Sequence, residues 1–233
     1  MNIPEAIKYP RGLSLSGSWP GAHGSHLTFV ASEDFRQTAK VVPSLLSSDK
    51  VALRARMRAR RREYAESLAT GTRAALEEAL AAVLSPLFAT AGTIAAYAPM
   101  KDEISALPAI ARARAAGLTI AFPCFVDRDS RMTFRSGEPV EAGPWGILQP
   151  AADAAIVTPD LILMPLVAID GSGNRIGMGK GHYDRALPGL RKAGARLIGI
   201  GWEFQRLDHP LVPDAWDVAL DGFASPAGLE MFR

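Results

Sequence analysis

The chain has 233 residues, with 26 Lys and Arg against 24 Asp and Glu, and 48% hydrophobic against 21% charged residues. This composition excludes global disorder and supplies a core for one domain or two small ones without disulfide staples. A formal net charge of +2 argues against a chain that simply coats nucleic acid.

Residues 1–48 hold eight Ser, four Gly and four Pro, a third of the segment, and no apolar period persists in them. They read as an irregular N-terminal extension with Leu27–Val30 as its one strand-like piece. His23 and His26 lack acidic neighbours and read as loop residues rather than a metal site. No apolar core with a small-residue cleavage site is recognised there, so the cytoplasm is the expected compartment.

A helix is predicted from Ser48, with Ser47 or Ser48 as N-cap and Asp49 in its first turn. Its apolar positions are Val51, Leu53, Met57, Tyr64 and Leu68. Lys50, Arg54, Arg56, Arg58, Arg60, Arg61 and Arg62 place seven cations in thirteen residues, with Lys50, Arg54, Arg58 and Arg61 on one side. Three readings stay open for this cluster: a nucleic-acid-binding face, a solvated face, or one or two arginines reaching the phosphates of a nucleotide.

Gly71 interrupts, and a second helix runs from Arg73 to Phe88, disturbed at Pro86. A strand follows over Thr93–Ala98, then a helix from Ser105 to Ala116 with Gly117 as its stop, then a buried strand over Leu118–Phe122. The single cysteine, Cys124, allows neither an internal disulfide nor a Cys-based zinc site and reads as a buried apolar residue. Weak strands are expected near Met132–Arg135, a strong one over Asp160–Pro165, a helix over Tyr183–Lys192, a strand over Arg196–Trp202 and a short one over Val218–Leu220. The longest apolar run, Leu161–Ile169, contains Pro165 and is too short to span a bilayer, so no membrane partner is expected. Apolar strands alternating with helices predict a single-domain α/β fold, a mostly parallel sheet flanked by helices on both faces, within residues 49–233.

The most informative stretch runs from Asp170 through Gly171, Gly173, Arg175, Gly177, Gly179, Lys180 and Gly181 to Asp184, between a buried strand and a helix. Open parallel sheets place ligand sites there. Alternating glycines let backbone N–H groups approach an anion closely, and Arg175, Lys180 and the following helix N-terminus add positive charge. These are the parts of a phosphate cradle, although the glycine spacing fits neither a Walker loop nor the dinucleotide fingerprint. Carboxylates beside such a cradle, Asp184 here and Asp217 and Asp221 later, would repel a phosphate unless Mg²⁺ mediates. Taken singly, Asp184 reads as a helix-dipole partner and Asp217 as a turn residue.

Five pieces in order then resemble the 5-formyltetrahydrofolate cyclo-ligase (methenyltetrahydrofolate synthetase) family. They are Lys50–Arg54 with the arginine-rich helix, Tyr97–Ile104, Trp145–Ile147 with Pro150, the loop Gly173–Asp184, and Asp217–Asp221. The resemblance covers about residues 49 to 223. It implies a catalytic domain that closes 5-formyltetrahydrofolate to 5,10-methenyltetrahydrofolate with ATP and Mg²⁺, releasing ADP and phosphate. By that resemblance Lys50 and Arg54 contact ATP phosphates, and Arg175, Ile176, Gly177, Met178, Gly179, Lys180, Gly181, His182 and Tyr183 cradle ATP, with Arg175 and Lys180 as the catalytic cations. Met178 to His182 also face the folate, Glu103 holds it, Trp145 is a candidate for its wall, and Asp184 and Asp217 serve the metal. His182 stands where many members carry tyrosine, and Trp216 stands where histidine or another polar residue is common. The competing readings are a nucleic-acid-binding module using the arginine-rich helix, and another ATP- or sugar-phosphate-using enzyme on a similar sheet.

Overall fold

A computed structural model describes residues 33–127 and 130–232, with the side chains of residues 33–48 and of Trp145 outside that description. The chain divides into two units, Met1–Lys40 and Val41–Arg233, and the sheet and its ligand-sized cavities belong to the second. In chain order the elements are α1 (Glu33–Ser67), α2 (Thr70–Leu84), β1 (Thr93–Ala95), α3 (Leu107–Ala115), β2 (Thr119–Cys124), β3 (Thr133–Ser136), β4 (Glu141–Ala142), β5 (Leu148–Gln149), β6 (Leu161–Pro165), β7 (Ala168–Ile169), β8 (Arg175–Ile176), α4 (His182–Lys192), β9 (Arg196–Ile200), β10 (Gly222–Ser225) and β11 (Gly228–Met231).

Seven strands form one sheet in the order β11-β10-β9-β6-β1-β2-β3. The five inner strands are parallel, and β3 and β11 close the edges antiparallel. Side chains alternate across the pleat, and the burial follows that period. Ile94, Leu161, Leu163, Ile198 and Ile200 enter one core with α2 and α3, whereas Ala95, Ile162, Met164 and Leu197 enter a second with Ala186 and Leu187 of α4. The inner strands are therefore apolar throughout because both faces are covered, as the sequence predicts. Cys124 is buried, its thiol pushed up by that burial. Among the described residues no helix is long and apolar enough to cross a membrane.

Several boundaries differ from the sequence reading. Helix α1 spans Glu33–Ser67, so residues 33–48 are helical rather than irregular and Ser47 and Ser48 lie inside the helix rather than at its cap; serines and Pro43 read as breakers, but local propensity is a weak prior. Leu27–Val30, His23 and His26 lie outside the described residues. The break after α1 falls at Leu68–Ala69, and Gly71 sits inside α2. Val218–Leu220 is not a strand. The late strand is β10, which opens on Gly222, where a Cβ would stand 2.7 Å from the Glu230 carbonyl oxygen. That close approach makes a turn-like residue the fitting one; β11, its hairpin partner, also escaped the sequence reading.

Candidate active site

Three chain segments leave the carboxyl edge of the parallel strands and converge: Tyr97–Glu103 after β1, Pro123–Phe125 at the end of β2, and Pro165–Leu166 at the end of β6. The glycine-rich segment covers them. It folds as the hairpin β7–β8, then a loop, then α4 with Gly181 as N-cap. One carboxylate organises the hairpin turn. Asp170, 1% exposed, accepts backbone N–H groups of Ser172 and Asn174 at 2.9 Å each, the Asn174 amide at 3.0 Å and the Leu211 N–H at 2.8 Å. Burial alone would raise its pKa, but the hydrogen bonds from Leu211, Asn174 and Ser172 outweigh it and hold it below the ordinary value. Gly173 takes φ +81°, and a Cβ there would stand 2.4 Å from the Leu220 carbonyl oxygen, so only glycine fits.

The loop separates two cavities. The first, about 140 Å³, is largely apolar and aromatic, lined by Tyr97, Phe125, Ile147, Leu166, Met178, His182 and Tyr183. His182 is buried edge-on against Phe125, ring centroids 4.8 Å apart, with Arg185 Nη2 3.0 Å from its Nδ1. Glu103 is the buried carboxylate of this cavity. It accepts the Met100 N–H at 3.0 Å and pairs with Arg61 at 3.3 Å. Burial raises its pKa against the pull of Arg61 and Met100, and burial together with the Glu103 charge also raises Tyr97 and Tyr183.

The second cavity, about 200 Å³, is polar. Lys50, Arg54, Arg175, Asp184, Asp214 and Asp217 line it, with Ile176, Gly177, Gly179, Gly181 and Trp216. Arg54 donates from Nε to the Gly177 carbonyl at 2.9 Å, tying α1 to the loop. Lys50 reaches Asp214 at 2.7 Å and Asp217 at 3.6 Å. Arg175 meets Asp184 at 2.5 Å, while its Nε is buried with no hydrogen-bond partner among the described residues. A buried guanidinium donor left over at a cavity wall is fitted for an anionic acceptor. No cluster of three or more His, Cys, Asp or Glu that could hold a metal occurs among the described residues. Of the three carboxylates on this cavity, Asp184 and Asp217 beside the anion cradle fit the needs of Mg²⁺, which takes one or two carboxylates and completes its shell with phosphate oxygens and water.

The structure thus brings most of the residues singled out in the sequence to one place but divides them; Asp221 lines neither cavity and instead accepts from Arg191 and the Leu197 N–H. Between these two cavities, Lys50, Arg54, Ile176 and Asp217 line the polar one alone; Glu103, Met178, Lys180, His182 and Tyr183 line the apolar one and not the polar one; Arg175, Gly177, Gly179, Gly181 and Asp184 line both. Of the residues that the resemblance assigns to ATP, Met178, Lys180, His182 and Tyr183 line the apolar cavity and not the polar one. Trp145 lies in a 3-10 turn, its side chain outside the described residues, and its neighbour Ile147 lines the apolar cavity.

A third cavity, about 310 Å³, shares Met100 and Met178 with the apolar one and is lined by Arg58, Arg61, Arg62, Arg73 and Lys101. Arg61, 2% exposed, is consumed by Asp102, Glu103 and the Leu166 carbonyl. Its role escaped the sequence reading, although Arg61 stands four residues after buried Met57 on the apolar stripe of α1, which is a usable signal. Arg60 stacks on Phe204 at 4.4 Å.

A mostly parallel sheet carrying a glycine-rich loop at its carboxyl edge, with an aromatic cavity and an ionic one sharing that loop as a wall, defines an α/β protein with two unlike cavities side by side. The chain belongs to the 5-formyltetrahydrofolate cyclo-ligase family, whose sequence profile matches residues 46–226. A 5-formyltetrahydrofolate cyclo-ligase from Haemophilus influenzae is 35% identical over 86 residues, 35% of this chain and 46% of that protein, so the match spans about half of that curated relative. Among solved structures, a 5,10-methenyltetrahydrofolate synthetase from Mycoplasma pneumoniae superposes with TM-score 0.59 at 27% identity, covering 76% of this chain and 99% of that one. The Aquifex aeolicus 5,10-methenyltetrahydrofolate synthetase superposes with TM-score 0.65 at 26% identity, covering 79% and 93%.

Proposed function

We propose that the protein cyclises 5-formyltetrahydrofolate to 5,10-methenyltetrahydrofolate, consuming ATP and releasing ADP and phosphate. The observation that carries this reading is the shared wall. The loop glycines and the Arg175–Asp184 pair line both cavities, so a phosphoryl group held on one side lies next to a ligand held on the other.

The chemistry asks for little else. A formamide oxygen is a poor leaving group. When it attacks the γ-phosphorus, ADP departs and the formyl carbon becomes an electrophile bonded to a phosphate. The folate N10 then attacks that carbon, loses its proton, and the C–O bond breaks to release phosphate. Both steps need positioning and charge neutralisation rather than a nucleophilic side chain. Lys50, Arg54 and Arg175 bind the phosphates. Lys180, exposed on the loop, supplies charge at the transferring group. Asp184 and Asp217 would hold Mg²⁺, which when bound neutralises phosphate charge. Tyr97, Phe125, His182 and Tyr183 enclose the pterin, and Glu103 accepts hydrogen bonds from it. Arg58, Arg62 and Lys101 offer positive charge to the glutamate carboxylates through the third cavity.

Of the α1 cations, Lys50, Arg54, Arg60 and Arg61 are already engaged by this chain, which favours ligand-binding and packing roles over a nucleic-acid face. The test is direct: folded protein with Mg-ATP and 5-formyltetrahydrofolate forms the methenyl product, followed by its near-ultraviolet absorbance. No product above a control without protein overturns the assignment.

A further inference from the structure

We propose that Trp216 is the nucleobase platform of the polar cavity, a flat apolar surface on which the purine of the bound nucleotide stacks. This rests on the ATP reading and names the specificity element of its site. The cavity is otherwise built for phosphate, with Lys50, Arg54 and Arg175 on its walls.

Trp216 is the one aromatic residue lining the cavity among the described residues, and it is 67% exposed. Tryptophan is usually well buried on average, so an indole left open at a cavity rim is a surface kept for a partner. Lys50 and Asp214 form an ion pair at 2.7 Å. The segment carrying Trp216 is also held before any ligand arrives, because the Asp214 N–H donates to Asp217 Oδ2 at 2.8 Å. A fixed platform costs little ordering on binding.

The experiment is calorimetric binding of ATP and of inorganic tripolyphosphate, each with Mg²⁺, to the wild-type chain, W216F and W216A, with melting temperatures as a folding check. Base stacking on an aromatic side chain predicts that W216A weakens ATP by about 5- to 150-fold. W216F keeps most of the affinity, and tripolyphosphate binds all three alike. W216A binding ATP as the wild type does, or losing ATP and tripolyphosphate equally, overturns the platform alone. Wild-type protein that binds tripolyphosphate but not ATP, or neither, overturns the ATP reading and the platform with it.

Discussion

Arg175 and Asp184 are joined by an ion pair of 2.5 Å, and each of the two lines both the aromatic and the ionic cavity. The pair therefore clamps strand β8 to the first turn of α4 where the two compartments touch. Arg175, with 8% of its side chain exposed, is part of the fold as well as of the site. Lys180 is exposed and among the described residues engages no carboxylate.

That contrast separates two variants. Lys180→Ala is expected to change stability by no more than about 0.5 kcal/mol while lowering kcat/KM for ATP by about 100-fold or more. Arg175→Ala is expected to lose ATP use as well, together with about 1–3 kcal/mol of stability, because Asp184 loses its partner. Steady-state kinetics and thermal melts read both. A Lys180 variant that unfolds while keeping activity per folded molecule would make the loop structural.

Asp184→Asn keeps the shape of the side chain and removes its charge. The Mg²⁺ concentration for half-maximal rate is expected to rise, since Mg²⁺ relies on few protein carboxylates and loses one. A Mg²⁺ titration that superposes on the wild type counts against a metal role.

Asp170 makes the glycine hairpin acid-sensitive. Its folded-state pKa lies below its unfolded value. Its stabilisation is therefore complete above the unfolded pKa, about 4, and is lost as pH falls through the lower folded value. Asp170→Asn should cost about 1–3 kcal/mol at neutral pH and flatten the acid limb of the stability curve below pH ~4. Urea melts from pH 2 to pH 7 check this; parallel curves for the two proteins would refute it.

Two glycines predict opposite signs. Gly173→Ala places a Cβ 2.4 Å from a backbone oxygen at φ +81° and should destabilise by about 2 kcal/mol or more. Gly189 lies inside α4 with nothing within 4 Å of an added Cβ. Gly189→Ala should stabilise by about 0.5–1 kcal/mol, a rise of about 1–4 °C in Tm. Equal effects from both would contradict the geometry.

Arg58→Ala with Arg62→Ala should raise KM for a triglutamyl substrate more than for the monoglutamyl one, and the difference should shrink as salt is added. The same change for both substrates would remove the third cavity from folate binding.

Much of this was readable from residue order. The inner strands β2, β6 and β9 and the helix α4 follow from apolar runs and from the Gly181–Tyr183 junction, because burial on both sheet faces leaves an unbroken apolar signature. The cradle was legible because glycine alternation and cations are local signals. Asp170 opened the quoted stretch without its role being seen, although Asp-x-Ser-x-Asn has the form of an Asx turn. What escaped depends on distant partners. The spacing from Met57 marks Arg61 as inward-facing, but its partners Asp102, Glu103 and the Leu166 carbonyl lie far along the chain, and β10 with β11 is defined by tight backbone approach rather than by apolar period. The division of the loop residues between two cavities is likewise a matter of tertiary position.

The strand order also governs how the molecule is made. Strand β6 lies between β1 and β9, so the sheet cannot close until residues 161–165 and then 196–200 have been synthesised. Until then the inner edge of β1 stands unpaired, although β1 and β2 can already meet. Such late, non-local pairing is slow to nucleate and leaves apolar strand edges open to association. Truncation before β6 should therefore yield an aggregating chain rather than a smaller folded one, and newly made protein should depend on chaperones until β9 docks.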